Sequence, residues 1–214
     1  MQIKNKKRVE EHGEVFTSKK EVNAMLDLVQ KETIRIESRF LEPACGNGNF
    51  LIEIFKRKIE VVREKYRKNQ LEFECYAVLA VSSLYGIEIL EDNVEECRER
   101  LLNIFSEVYK KEYPDSFKDK CFNTVKFILK KNIVYGDALA LEVGGKKNTP
   151  IIFSEWSFVS NYMIKRRDFT LSNLIAYRPM EGENLFSDLG EEAFIPKTVK
   201  EYPLQNFLDI SDEH

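Results

Sequence analysis

With 214 residues, the chain is long enough to bury a substantial core in one domain, or in one domain with a tail. It is 43% hydrophobic, and no apolar run approaches the roughly 20 residues that span a bilayer, which predicts a soluble globular protein with no membrane partner. A net charge of -3 does not advertise nucleic-acid binding, and four scattered cysteines (Cys45, Cys75, Cys97, Cys121), none of them near His12 or His214, point to neither a zinc site nor a disulfide framework, so no metal is expected.

The amino end, Met1 to Arg8, is basic but lacks an apolar core and a small-residue cleavage site, so it does not read as a secretory signal and a cytoplasmic location is expected. Gly13-Glu14-Val15-Phe16-Thr17 leads into Ser18-Lys19-Lys20-Glu21, which has the form of a capping box. Val22, Met25, Leu26 and Val29 then mark one face of a helix. Read alone, this is a core helix.

The stretch Arg39 to Leu51, RFLEPACGNGNFL, is the most informative in the chain. The apolar pair Phe40-Leu41 leads into an acid, a proline and a Gly-x-Gly turn, and Leu51, Ile54, Phe55, Ile59 and Val62 follow at helical spacing. The segment reads as strand, glycine turn, helix. Gly46 and Gly48 have no Cβ, so backbone there can come close to a bound organic cofactor at the mouth of the strand, and Pro43 stiffens the exit. Lys56, Arg57, Lys58, Arg63, Lys65, Arg67 and Lys68 crowd the helix that follows, either as a phosphate-gripping face or as a solvated one.

Glu42-Pro43-Ala44-Cys45-Gly46-Asn47-Gly48-Asn49-Phe50 closely resembles the first motif of the S-adenosylmethionine-dependent DNA adenine methyltransferases of restriction-modification systems. The resemblance implies S-adenosyl-L-methionine as cofactor, double-stranded DNA as substrate, and Glu42, Pro43, Ala44, Gly46, Gly48 and Phe50 as cofactor-binding residues. In that family a Gly-x-x-Phe-Thr-Pro segment lies beside the methionine moiety. Gly13 to Thr17 is similar to it, which adds Thr17 to the site. Ser18 stands where the family usually has proline, a mild departure because serine also begins helices.

Farther along, Phe73 to Ser83 is apolar and reads as a second helix closing the crossover, and Leu84-Tyr85-Gly86-Ile87-Glu88-Ile89 as a buried strand with an acid near its carboxyl end. Glu88 there is either a surface glutamate or an acceptor for both ribose hydroxyls of a cofactor. It lies farther past the glycines than the roughly 20 residues of a dinucleotide site, which argues against NAD and fits a methyltransferase with an extended crossover. The resemblance adds its neighbour Ile89. Glu91-Asp92 opens another helix, with Cys97, Leu101, Ile104, Phe105 and Val108 as its buried stripe, and Tyr113-Pro114 breaks it. Phe117, Cys121, Val125 and Ile128 suggest one more helical stretch. The third strand is Asn132 to Leu139. Asp137, beyond its apolar run, is a common loop residue by type; Gly-Asp-Ala-Leu resembles the family's third motif and implies adenine contacts from Asp137 and the Ala138 amide.

Gly144-Gly145 turns the chain and Pro150 to Phe153 reads as a fourth strand. At the end of that strand the family carries Asn or Asp, then Pro-Pro, then an aromatic, whereas this chain has Ser154-Glu155-Trp156-Ser157-Phe158 and no Asn-Pro-Pro-Tyr anywhere. The difference matters because adenine's amino group is a poor nucleophile: the family's polar side chain and proline carbonyl accept its protons while the aromatic stacks on the flipped base. Ser154 and Trp156 are the catalytic candidates that remain, the first as acceptor and the second as stacking platform, with packing at the sheet edge as the other role open to Trp156 and Phe158. Lys165-Arg166-Arg167 forms a second basic group, and Phe169 to Ile175 suits one helix or strand.

These elements predict an α/β fold with a doubly wound, mainly parallel sheet, Rossmann-like, of four strands and missing the last strands of the complete fold. A cofactor-binding domain is expected over residues 1–178 and an acidic, partly irregular tail over 179–214. The function implied is site-specific adenine methylation of DNA by in-line displacement. The alternative is a catalytically inactive regulatory or scaffold subunit that binds S-adenosylmethionine or DNA. In either case, a second protein subunit has room to supply the missing strands and target recognition. A nicotinamide-dependent oxidoreductase is disfavoured by the position of Glu88 and the lack of an evident proton donor.

Overall fold

A computed structural model describes residue 8 and residues 17–159, 162–176 and 196–210. Helix α1 (Lys19–Asp27) begins at the capping box: the Ser18 hydroxyl accepts from the Glu21 amide at 3.4 Å, and the Glu21 carboxylate accepts from the Ser18 amide at 3.1 Å. One helical turn, α2 (Gln30–Thr33), leads to strand β1 (Phe40–Glu42). Helix α3 (Asn49–Tyr66) follows the glycine turn and buries Leu51, Ile54, Phe55, Ile59 and Val62, the stripe set by their spacing. Helix α4 (Gln70–Ser82), capped by Asn69, is apolar on almost every side because α3 and α6 (Asp119–Asn132) enclose it. Strand β2 (Leu84–Glu88), helix α5 (Glu91–Glu112), α6 and strand β3 (Ile133–Asp137) complete the sequence of crossovers.

β1, β2 and β3 form a parallel sheet in that order, and the two-residue β4 (Glu142–Val143) adds antiparallel to β3. Register pairs Glu42 with Gly86 and Glu88 with Tyr135, so Phe40, Glu42, Leu84, Gly86, Glu88, Ile133, Tyr135 and Asp137 share one side of the pleat. That side packs on the helices. Each fully buried Leu, Ile or Phe of this core contributes on the order of 1.5–3 kcal/mol.

The other side is built differently from the expectation. It carries a small cluster of Tyr85, Ile87, Ile151, Phe153 and Leu171, to which no residue of α1 to α6 belongs. An antiparallel hairpin, β5 (Ile152–Val159) and β6 (Met163–Thr170), and the short helix α7 (Leu171–Ile175) stand there in place of a second helical layer. Among the described residues the second face thus carries a hairpin and one five-residue helix where a layer of crossover helices was expected, and the doubly wound arrangement is not seen there. The expected fourth parallel strand is the first strand of this separate sheet, because β6 offers eight residues of local antiparallel partner. The short strands β7 (Lys200–Glu201) and β8 (Gln205–Asn206) also pair with β6. Residues 196–210, within the stretch expected to be an irregular tail, thus join the fold: Phe207 and Ile210 are buried, and the Thr124 hydroxyl donates to the Phe207 carbonyl at 2.9 Å. No described helix is long and apolar enough to cross a membrane.

Candidate cofactor site

Three acids end three adjacent parallel strands on the same side of the sheet: Glu42 on β1, Glu88 on β2 and Asp137 on β3. Glu88, only 7% exposed, is held at both oxygens by backbone: the Gly46 amide donates to Oε2 at 2.8 Å and the Leu90 amide to Oε1 at 3.0 Å. Each oxygen keeps further acceptor capacity. The Cys45 amide donates to the Ile87 carbonyl at 2.9 Å, which ties the glycine turn to the end of β2. Gly48 caps α3 with φ of 91°, and a Cβ built there would lie 2.5 Å from Cys97 Sγ on α5. Its lack of a side chain is therefore required by helix packing as well as by backbone conformation.

Burial pushes the half-buried Glu42 carboxyl above the usual carboxylate range, partly offset by the Ala44 amide that donates to it. Asp137 Oδ1 accepts from the Leu139 and Ala140 amides at 2.8 and 3.2 Å, and Oδ2 has no partner among the described residues. Ile89, Pro43 and Ala44 are exposed at the strand ends. Ala138 is partly buried against the Tyr85 cluster. Phe50, in the first turn of α3, lines a cleft of about 220 Å³ along β1 with Met25, Val29, Phe40, Leu41 and Glu42. The Thr17 carbonyl accepts from Asn49 Nδ2 at 3.0 Å, so the start of α1 is tied to the turn; Gly13 to Phe16 lie outside the described residues.

Residues that sequence reasoning passed over also grip the turn. Asn47 Nδ2 donates to Glu96 at 2.8 Å, and Arg100 Nη1 donates to the Asn47 carbonyl at 2.6 Å and to Asn49 Oδ1 at 3.1 Å. Asn47 Oδ1 is buried without a hydrogen-bond partner. The signal for this grip was slight: Glu96 and Arg100 stand one helical turn apart on α5, as in any solvated ion-pair face.

Ser154 and Trp156 are placed elsewhere. Ser154, 2% exposed, donates from its hydroxyl to Asp168 Oδ1 at 2.8 Å and accepts from Arg166 Nε at 3.1 Å. Trp156 packs edge-on to Phe127 and donates from Nε1 to Asn132 Oδ1 at 3.0 Å, while Asn132 itself donates to the Ser82 and Leu84 carbonyls. Those partners mark the amino ends of β2 and β3, the opposite end of the strands from the three acids. The structure does not bring these two side chains to the acids, because both face the packed interior of the hairpin. Most of the other basic side chains singled out in the sequence are paired or buried, whereas Lys65, Arg67 and Lys68, at and just beyond the end of α3, are exposed. Lys165 pairs with Glu201 and Arg167 with Glu155, and Arg166 is buried against Asp168 and the Tyr202 ring; on α3, Lys56, Arg57 and Arg63 are ion-paired within the chain and Lys58 is buried.

The remaining set suits a nucleoside carrying a cationic amino acid. Carboxylate acceptors stand at Glu88, Asp137 and Glu42, beside a turn that leaves backbone bare. Among the described residues no group of three or more His, Cys, Asp or Glu is arranged to hold a metal ion. The family described as MmeI, DNA-methyltransferase domain, matches residues 14–148, a span that holds the glycine turn, all three acids and the α5 contacts, and ends before Ser154 and Trp156. No curated protein and no solved structure matches the chain.

Proposed function

Because this chain belongs to the MmeI DNA-methyltransferase-domain family, a family of restriction-modification DNA methyltransferases, we propose that it binds S-adenosyl-L-methionine at the carboxyl ends of β1 to β3 and serves methylation of the adenine amino group in double-stranded DNA. The observation that carries this reading is the Glu88 carboxylate, buried and oriented by the Gly46 and Leu90 amides at the mouth of the strand next to the glycine turn. An acceptor-only group fixed there suits paired ribose hydroxyls. Asp137 is oriented by its own turn so that one oxygen points away free for an amino donor, and Glu42, short of donors in its half-buried place, suits an ammonium. When bound, S-adenosylmethionine supplies an electrophilic methyl on sulfur. The chain's part is to position it, with the apolar cleft around Phe50 excluding water and Ile89 exposed at the end of β2.

A second reading assigns the groups that accept the amine's protons and read the target to another polypeptide, so that this chain alone binds cofactor without turnover. What favours it is β1. In a doubly wound sheet of order 3-2-1-4-5-6 the second half adds at strand 1, and here β1 has β2 on one side and no strand on the other among the described residues. The cleft along β1 is lined by exposed Leu41, Met25 and Val29.

Incubating the purified chain with labelled S-adenosylmethionine and mixed-sequence duplex, then analysing the nucleosides, decides between them. The first reading expects label in N6-methyladenine. Label in cytosine contradicts the adenine assignment, and bound cofactor without any transfer to DNA favours the second reading.

A further inference from the structure

Helix α5 meets the glycine turn through three side chains within about one helical turn. Cys97 fills the space where a Gly48 side chain would stand, Glu96 takes the Asn47 amide group, and Arg100 reaches over to the Asn47 carbonyl and the Asn49 side chain. Asn49 passes the link on to the Thr17 carbonyl. One guanidinium nitrogen therefore joins α5, both residues flanking Gly48, and the start of α1, three segments far apart in sequence.

We propose that Arg100 is a positioning residue for the cofactor: it fixes the peptide of Asn47 and, through Asn49, the distance between the turn and Thr17, so that the binding crevice is formed before ligand arrives. The physical reason lies in Gly46 and Gly48. Both sit at positive φ, and the backbone freedom that permits this conformation also leaves the turn free to take others. A charged donor on a rigid helix removes those alternatives, and preorganisation of this kind appears as affinity because the ordering cost is met during folding. Its guanidinium bonds Asn47 and Asn49 of the turn, so it acts through the turn. The inference rests on the reading of this crevice as an S-adenosylmethionine site.

Arg98 provides the internal comparison. It lies on the same helix and also bonds backbone carbonyls, those of Ile133 and Lys130, but at the amino end of β3, away from the turn. Calorimetric titration of S-adenosylmethionine into the wild-type chain and into Arg100→Met, Arg100→Lys, Asn49→Ala and Arg98→Met, each with its thermal midpoint, tests the proposal. The expected result is affinity weakened tenfold or more in Arg100→Met, by less in Arg100→Lys, which keeps one charged donor, and by a few-fold in Asn49→Ala, while Arg98→Met loses thermal stability and keeps wild-type affinity. Equal affinities in Arg100→Met and wild type, or equal losses in Arg100→Met and Arg98→Met, overturn it. If Arg100→Met does not fold, Arg100→Lys and Asn49→Ala decide, and wild-type affinity in both overturns the proposal. A wild-type chain that shows no binding removes the cofactor reading itself, a separate outcome.

Discussion

Gly48 shows how one residue serves two demands. Its φ of 91° lies in the left-handed region, and an added Cβ would approach Cys97 Sγ to 2.5 Å. Gly48→Ala therefore meets strain and overlap together, and a loss of roughly 2–4 kcal/mol in unfolding free energy is expected. Adding Cys97→Ala relieves the overlap but not the strain, so the double variant should recover part of the loss in urea denaturation, and no recovery would show that the helix contact is not what excludes a side chain. The acids at the strand ends were legible as single residues, since an acid after a buried apolar run stands out. Ser154 and Trp156 were not, because nothing in Ser154-Glu155-Trp156 distinguishes a crevice from the inside of a hairpin. Arg166 was equally opaque: in the run Lys165-Arg166-Arg167 only the two-residue period of a strand turns the middle member inward, onto Asp168.

At the scale of elements, what could be read was local. The capping box of α1, the strand-turn-helix of β1 and α3, and the buried stripe of α5 all come from contacts within a few residues, and each stands where the pattern puts it. The β5–β6 hairpin was missed because its evidence is pairing: Ile151-Ile152-Phe153 alone suits a buried parallel strand, and the charges of β6 mask its alternation. Helix α3 holds another such surprise in Lys58, which belongs by sequence to a basic face. It is buried, with Nζ donating to the Ile36 carbonyl at 3.1 Å, the Ser83 hydroxyl at 2.6 Å and the Ser38 carbonyl, so it fastens α3 to the lead-in of β1 and of β2. Lys58→Met strands those carbonyls, and a loss of roughly 2–4 kcal/mol is expected. Burial pushes the amine down to about 7 from its ordinary 10.5. Between those values the folded chain binds fewer protons than the unfolded one, so this group's contribution to stability grows as pH rises from about 7. The stability gap between wild type and Lys58→Met should accordingly be wider at pH 9 than at pH 6.5; a gap that is constant or narrows contradicts the assignment.

Among the described residues, a sheet of three parallel strands and one short antiparallel strand carries a helical layer on one side and, on the other, a hairpin and one short helix. The family match over residues 14–148 covers the three parallel strands and the helices that place the acids, and the hairpin follows it. The three acids and the glycine turn lie in the matched part, and Ser154 and Trp156 come after it. The cofactor site proposed for this chain is the crevice at the carboxyl ends of β1 to β3. Titrating S-adenosylmethionine into the wild-type chain and Glu88→Ala in a calorimeter tests it most directly: one saturable site in the wild type, weakened at least tenfold by the substitution with the fold intact, is the predicted result, and either no binding to the wild type or equal binding to both would contradict it.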